Sequence, residues 1–547
     1  MPVQLAVSAA ETHTYQLLVH HILEGAVLAA PEQEIVYRDR HRQTYRQLRD
    51  RVNRLASALT SLGVSEGDTV AMMDWDSHRY LETYFAVPMM GAVLQTVNFR
   101  LSAEQLIYCL RSANASVLLF HRDFAAVVDA IRPHLPELRQ FILIADHNDL
   151  ASGPTEIEYE TLLTSGSPQF SFPVFDENAV ATTFHTTGTT GNPKAVSFSH
   201  RQLVLHTLAV TAALASQPDG QALRRDDVYM PLTPMFHVHA WGIPYIATML
   251  GIKQVYPGRY EPEMLLGLRQ SEKVSFSHCV PTVLQMILSA AESKGIVGLG
   301  PWTMLIGGSA LPRSLQSAAE SSGLSVLAGY GMSETGPAIA IARYVGDGLD
   351  RATALCRAGY PIPLVQAQIV GDDMQVLPWD DKVQGELVLR APWLTASYCG
   401  DLEASQSLWR GGWLHTQDIA SIDSNGAVTI RDRIKDVIKS GGEWVSSTQL
   451  EELILQHPGV RDVAVVGVAD QKWGERPVAI VVGKNEFIDQ SVVKEHLQHF
   501  VDAGNLNRIA VPAEILFTES LPKTSVGKTD KKQLRERLND GISSTDA

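Results

Sequence analysis

Apolar residues at Tyr45, Leu48, Val52, Leu55 and Leu59 recur every three or four positions between Thr44 and Leu62, and Gly63 follows directly. That spacing gathers them on one helical face, and the glycine marks where the helix stops. The next run, Asp68-Thr69-Val70-Ala71-Met72-Met73, is short and predicts a strand. Ser102 and Gln105 stand at capping-box spacing, which starts another helix, and Ala115 to Phe120 reads as a buried strand. The same rhythm returns with a strand over Lys253 to Tyr256, a helix from about Glu261, a strand over Val274 to Ser277, a helix after Pro281 and a strand over Met304 to Ile306. Such alternation predicts α/β layers with largely parallel strands, and no fixed-period repeat interrupts it. Residues 146–178, rich in Asp, Ser, Gly and Pro, read as a surface excursion.

A chain of 547 residues exceeds what one hydrophobic core usually supports, so a large and a small domain are expected. The sharply charged run Arg431-Asp432-Arg433-Ile434-Lys435-Asp436 places the junction, giving an N-terminal domain 1–432, a hinge 433–436 and a C-terminal domain 437–547. Hydrophobic residues at 45% and charged residues at 19% leave ample material for the cores. A net charge of −15 with no long Lys/Arg run argues against non-specific binding to nucleic acid or anionic lipid, so anionic ligands must be held locally. The opening residues lack a basic n-region, and no segment is apolar for long enough to span a bilayer. Cys109, Cys279, Cys356 and Cys399 show no CxxC spacing, which reads as reduced thiols in a cytoplasmic protein rather than as a disulfide framework or zinc site.

Thr186-Thr187-Gly188-Thr189-Thr190-Gly191-Asn192-Pro193-Lys194 packs four hydroxyls, two glycines and a lysine into nine residues. Such a loop offers backbone N–H groups, hydroxyls and a cation to a polyphosphate. It is not the Walker loop, because Pro193 stands where the second glycine would fall. Here the chain resembles the adenylate-forming superfamily of acyl-CoA synthetases, luciferases and peptide-synthetase adenylation domains, whose phosphate-loop signature these residues match. Ala195 departs from the family's usual glycine. Further matches follow in the family's order over residues 180–530. In Gly329-Tyr330-Gly331-Met332-Ser333-Glu334-Thr335 the resemblance implies that Tyr330 stacks on adenine, Gly331 admits the substrate, Met332 and Ser333 line the nucleotide, and Glu334 helps hold Mg²⁺. One or two carboxylates plus phosphate oxygens are what Mg²⁺ prefers. Gly307-Gly308-Ser309-Ala310 resembles the wall against the other adenine face.

In Gly412-Trp413-Leu414-His415-Thr416-Gln417-Asp418 the matching aspartate grips the ribose, assisted by Arg433. Lys435 matches the family's hinge residue and Gly442 its pantetheine-lining glycine. Lys528, in Leu521-Pro522-Lys523-Thr524-Ser525-Val526-Gly527-Lys528, matches the lysine that reaches the carboxylate and α-phosphate during adenylation, where a cation offsets developing charge.

The stretch Pro234 to Tyr245 resembles bacterial medium- and long-chain fatty acyl-CoA synthetases, in which the residue matching Trp241 gates the acyl tunnel and that matching His237 lies near the carboxylate. His239 reads as core. The implied fold is a large domain of two α/β subdomains with a smaller β-barrel-like part, below a small mobile α+β domain. The implied activity is AMP-forming ligation of a carboxylic acid to coenzyme A with ATP and Mg²⁺, with pairing into a homodimer through the N-terminal part. Ligases for short substituted acids such as methylthiopropionate, or for aromatic acids, carry the same segment, so the acid stays open. Two other readings remain: transfer to a carrier protein, disfavoured because no fused carrier motif is seen, and a silent nucleotide-binding relative, opposed by the presence of Lys194, Glu334, Asp418 and Lys528.

Overall fold

The computed structural model describes residues 3–146, 157–186, 192–218, 220–346, 348–441, 443–484, 488–504, 506–523 and 529–539. The periodic stripe after Thr44 forms the helix Tyr45–Ser61, whose cap is a full box: Thr44 accepts from the Gln47 N–H while the Gln47 side chain accepts from the Thr44 N–H. Gly63 then turns at φ +86°. Ser102 and Gln105 close the same box on Ala103–Ser112.

Two large sheets form the body. One runs Ile157–Glu158, Gln140–Ile144, Ala115–His121, Thr69–Met73, Val93–Thr96, Val180–His185, Ala195–Ser199, parallel throughout except for the last pair. The other runs Tyr360–Pro361, Ala338–Ile341, Leu324–Gly331, Trp302–Ile306, Phe276–Cys279, Val228–Leu232, Lys253–Tyr256, Glu34–Tyr37, His41–Thr44, with a parallel centre and antiparallel edges. Their central strands are buried along their whole length, as strands covered by helices on both faces must be. A four-stranded antiparallel sheet, Gln366–Val370, Gly385–Arg390, Leu414–Ile422, Val428–Arg433, forms the smaller part. Beyond it, Glu443–Val445, Ile438–Ser440, Gly474–Gly483 and Val460–Asp470 make a further sheet, with Glu514–Phe517 parallel to Gly474–Gly483. Among the described residues no helix is long and apolar enough to cross a membrane.

Two expectations need correction. The strand placed over Val274 to Ser277 is Phe276–Cys279, because its register against Tyr229 to Leu232 draws His278 into the sheet. The excursion over residues 146–178 is not all surface: Tyr159–Ser165 is a helix that buries Tyr159, Leu162 and Leu163, and the Tyr159 hydroxyl donates to Glu82 at 2.7 Å.

Candidate active site

The Thr-rich loop joins two antiparallel neighbours, Val180–His185 and Ala195–Ser199. Its ends are tied where the Thr186 N–H donates to the Lys194 carbonyl at 2.8 Å. Thr187, Gly188, Thr189, Thr190 and Gly191 lie outside the described residues, as do Gly442 and Lys528. The segment bearing Lys528 is closed in a similar way, by a bridge between Lys523 and Thr529 and a bond from the Asp530 N–H to the Pro522 carbonyl at 2.8 Å. Both cation-bearing loops therefore spring from paired ends.

Tyr330, Asp418 and Arg433 meet. Asp418 and Arg433 are directly opposed on adjacent antiparallel strands, so the pairing itself brings carboxylate and guanidinium together at 3.2 Å. The Tyr330 hydroxyl donates to the other carboxylate oxygen at 2.5 Å, and burial together with the adjacent Asp418 charge holds that phenol well above its ordinary pKa. Gln417, at φ +63°, turns the strand immediately before Asp418.

Glu334 forms the second cluster. It sits in the middle of a short 3₁₀ turn, Ser333–Thr335, after the strand Leu324–Gly331, with half-buried Met332 preceding the turn. Glu334 is 6% exposed, and burial raises its carboxyl pKa against the opposing pull of the Tyr398 hydroxyl, Arg433 and Lys194. Tyr398 donates to its Oε1 at 2.6 Å, and Lys194 Nζ lies 4.7 Å from the centre of the Tyr398 ring. A buried carboxylate with a phenol beside it can supply one protein oxygen to a hard ion that takes its other oxygens from phosphate and water. Reading motifs overlooked Tyr398. No recognisable motif surrounds it, and it reaches the site because residues 395–399 pair with the strand that follows Lys194: Val196 bridges Tyr398, and the Cys399 N–H donates to the Ala195 carbonyl at 2.9 Å.

The third group lies at the ends of the parallel strands. Gly307 is buried, Gly308 turns at φ +80°, and Ser309 is exposed. A methyl group on Gly307 would lie 2.9 Å from Trp241 Cη2 and 3.0 Å from the Gly329 carbonyl, so the indole rests on the glycine wall. Val238, His239, Ala240 and Trp241 all carry positive φ, between +47° and +57°, a left-handed turn that costs about 1–2 kcal/mol per residue and persists only because packing holds it. Half-buried His237 precedes this turn. His239 is core, as expected: it is 2% exposed, with Phe184 and Tyr84 edge-on at 5.5 and 5.7 Å, and burial lowers its pKa to about 3. The His278 ring also lies 5.0 Å from that of Trp241 and shares a 2.9 Å hydrogen bond with the Tyr229 hydroxyl. Lys435 lies in the turn after Arg433, where the Asp436 and Val437 N–H groups both donate to the Arg433 carbonyl.

The α/β body, the antiparallel sheet carrying Asp418 and Arg433, and the sequence motifs around Lys194 and Lys528 fit an adenylate-forming enzyme. The chain belongs to the AMP-binding enzyme family: that family's model matches residues 23–399, and the model of the AMP-binding enzyme C-terminal domain matches residues 449–528. It is similar to a long-chain-fatty-acid–CoA ligase of Thermus thermophilus, at 40% identity over 95% of this chain and 96% of the relative. It is also similar to a 3-methylmercaptopropionyl-CoA ligase of Ruegeria lacuscaerulensis, at 36% identity over 97% of this chain and 98% of the relative. A crystal structure of an anthranilate CoA ligase with anthranoyl-AMP superposes with a TM-score of 0.84 at 23% identity, covering 96% of this chain and 98% of that one, and shares the fold. The protein is an AMP-forming acid–thiol ligase that uses ATP, Mg²⁺ and coenzyme A.

Proposed function

We propose that the chain activates a fatty acid of medium or long chain as its acyl-adenylate and passes the acyl group to coenzyme A. The observation that carries this reading is the contact of the Trp241 indole with the bare Gly307 wall, which puts an apolar side chain where an acyl chain would leave the nucleotide. In the first step the acid's carboxylate oxygen bonds to the α-phosphorus as the bond to pyrophosphate breaks. Lys194 and Lys528 face the negative charge, and Asp418 with Arg433 holds the ribose. Glu334 would hold Mg²⁺, which when bound neutralises phosphate charge. In the second step the thiol gives up its proton to solvent and its sulfur bonds to the acyl carbon, as the bond from that carbon to the phosphate oxygen breaks and AMP leaves.

Two lobes hinged at residues 433–436 allow both steps to use one cleft. Support for that division comes from the cores: the body's apolar clusters reach no further than Val428 and the half-buried Ile430, whereas those beyond begin at Ile438. Four free thiols, Cys399 exposed among them, suit a reducing cytoplasm.

A coenzyme A ligation screen over straight, branched, thioether and aromatic acids tests the reading, with straight chains of medium to long length expected to give the highest kcat/KM. Trp241→Ala should shift kcat/KM between short and long acids by about ten-fold, the worth of one or two methylenes in an apolar pocket. An unchanged ranking in that variant would remove Trp241 from the acyl path, and a thioether or aryl optimum would replace the fatty-acid assignment.

A further inference from the structure

Lys194 and Glu334 are far apart in sequence and approach the same region from different sheets, yet among the described residues no ion pair joins them directly. A direct pair would cancel both charges and leave less of either for a triphosphate and its metal. Tyr398 stands between them. Its hydroxyl donates to Glu334 Oε1 at 2.6 Å, and its ring face carries the Lys194 ammonium at 4.7 Å.

The segment around Tyr398 is fastened to both partners. On the lysine side, Val196 bridges Tyr398 and the Ala195 carbonyl accepts from the Cys399 N–H. On the glutamate side, the Glu334 carbonyl accepts from the Thr395 N–H at 3.0 Å, and Trp393 Nε1 donates to the Thr335 carbonyl at 3.0 Å. Ser405 Oγ accepts the Tyr398 N–H at 3.0 Å, fixing the ring's own backbone. A phenol is the side chain that serves both neighbours, because it offers a donor at its tip and a negative face on its ring.

We propose that Tyr398 is a positioning residue that sets the spacing between the phosphate-loop lysine and the metal-holding carboxylate. This rests on the roles given to Lys194 and Glu334 under the proposed function. The hydroxyl engages one oxygen of Glu334, while the ring face gives the Lys194 ammonium a partner other than the glutamate.

Two variants separate the two contacts. Tyr398→Phe removes the hydroxyl and keeps the ring, and Tyr398→Leu removes both. Loss of an outer-shell hydrogen bond typically costs about 10–100-fold in metal affinity. Tyr398→Phe is therefore expected to raise the Mg²⁺ concentration for half-maximal pyrophosphate exchange by about ten-fold, and to weaken Mn²⁺ binding to the ATP complex, read by electron paramagnetic resonance, by a similar factor. ATP binding in excess EDTA, measured calorimetrically, should stay at the wild-type value in Tyr398→Phe and weaken only in Tyr398→Leu. Thermal unfolding of Tyr398→Phe at the wild-type temperature shows that the fold is intact. Wild-type Mn²⁺ affinity in Tyr398→Phe overturns the proposal, as does equal loss of metal-free ATP binding in both variants. If the wild type exchanges pyrophosphate with no acid at all, the functional reading falls, while the Mn²⁺ measurement still decides the role of Tyr398.

Discussion

Alanine at Lys528 will slow acyl-adenylate formation by about 10²–10³-fold, the usual loss when one preorganised group facing developing charge is removed. Thioester formation from chemically prepared acyl-adenylate will be little changed. The asymmetry follows from where charge appears. In the first step negative charge builds on the α-phosphate as pyrophosphate leaves, within a protein whose net charge of −15 offers no general attraction, so each local cation counts. In the second step the nucleotide is already a monophosphate leaving group, and no such charge builds on it. The bridge between Lys523 and Thr529 and the ion pair of Lys523 with Asp462 at 2.9 Å do not involve the Lys528 side chain, so the variant leaves these flanking contacts in place. Exchange of labelled pyrophosphate into ATP reads the first step, and release of AMP from the prepared adenylate reads the second. Equal losses in both would mean that Lys528 serves the lobe's structure rather than the adenylation chemistry.

Local periodicity was enough to place elements whose contacts are local. The five-residue apolar stripe and the glycine that ends it located the helix Tyr45–Ser61 to within a residue, and Lys253–Tyr256 matched its strand. Where a strand's limits are set by its partner, as for Phe276–Cys279, the pattern misled: Val274 looks like a strand residue and His278 does not, although His278 is fully buried in the sheet. The candidate site divides the same way. Contiguous motifs announced Lys194, Glu334 and Asp418, because each sits in a run whose residue types are unusual together. Tyr398 was silent, since its partnership with Lys194 depends on a bridge to Val196 across about two hundred positions of chain and its bond to Glu334 spans 64. The left-handed turn Val238–Trp241 was equally silent: positive φ is normally signalled by Gly, Asn or Asp, and here β-branched and aromatic side chains are held in it by burial and by the Gly242 N–H bonded to the His239 carbonyl.

Gly331→Ala should be nearly as damaging as the loss of Lys528, for a steric reason rather than an electrostatic one. Gly331 ends the strand that carries Tyr330 and pairs with Ala338 across an irregular step in the register. A methyl group there would lie 1.4 Å from the Pro337 carbonyl oxygen and 2.4 Å from its carbon, and both are backbone atoms that no rotamer change can move aside. The two strands must separate. Overfilling a packed core commonly costs about 1–3 kcal/mol, and this overlap falls at the severe end. The displacement is passed to Tyr330, bonded to Asp418, and to Glu334 a few residues on; misplacing such groups by an ångström can cost about 10²-fold in rate. Pyrophosphate exchange is therefore expected to fall by about two orders of magnitude with a lower unfolding temperature. Gly25→Ala provides the contrast: it lies within the helix His20–Ala29 with nothing within 4 Å of the added methyl, so helix propensity makes it neutral or stabilising and activity should be retained. Should Gly331→Ala match the wild type in both exchange rate and thermal unfolding, the close approach of Gly331 to Pro337 would be wrong, and with it the placement of Tyr330 beside Asp418.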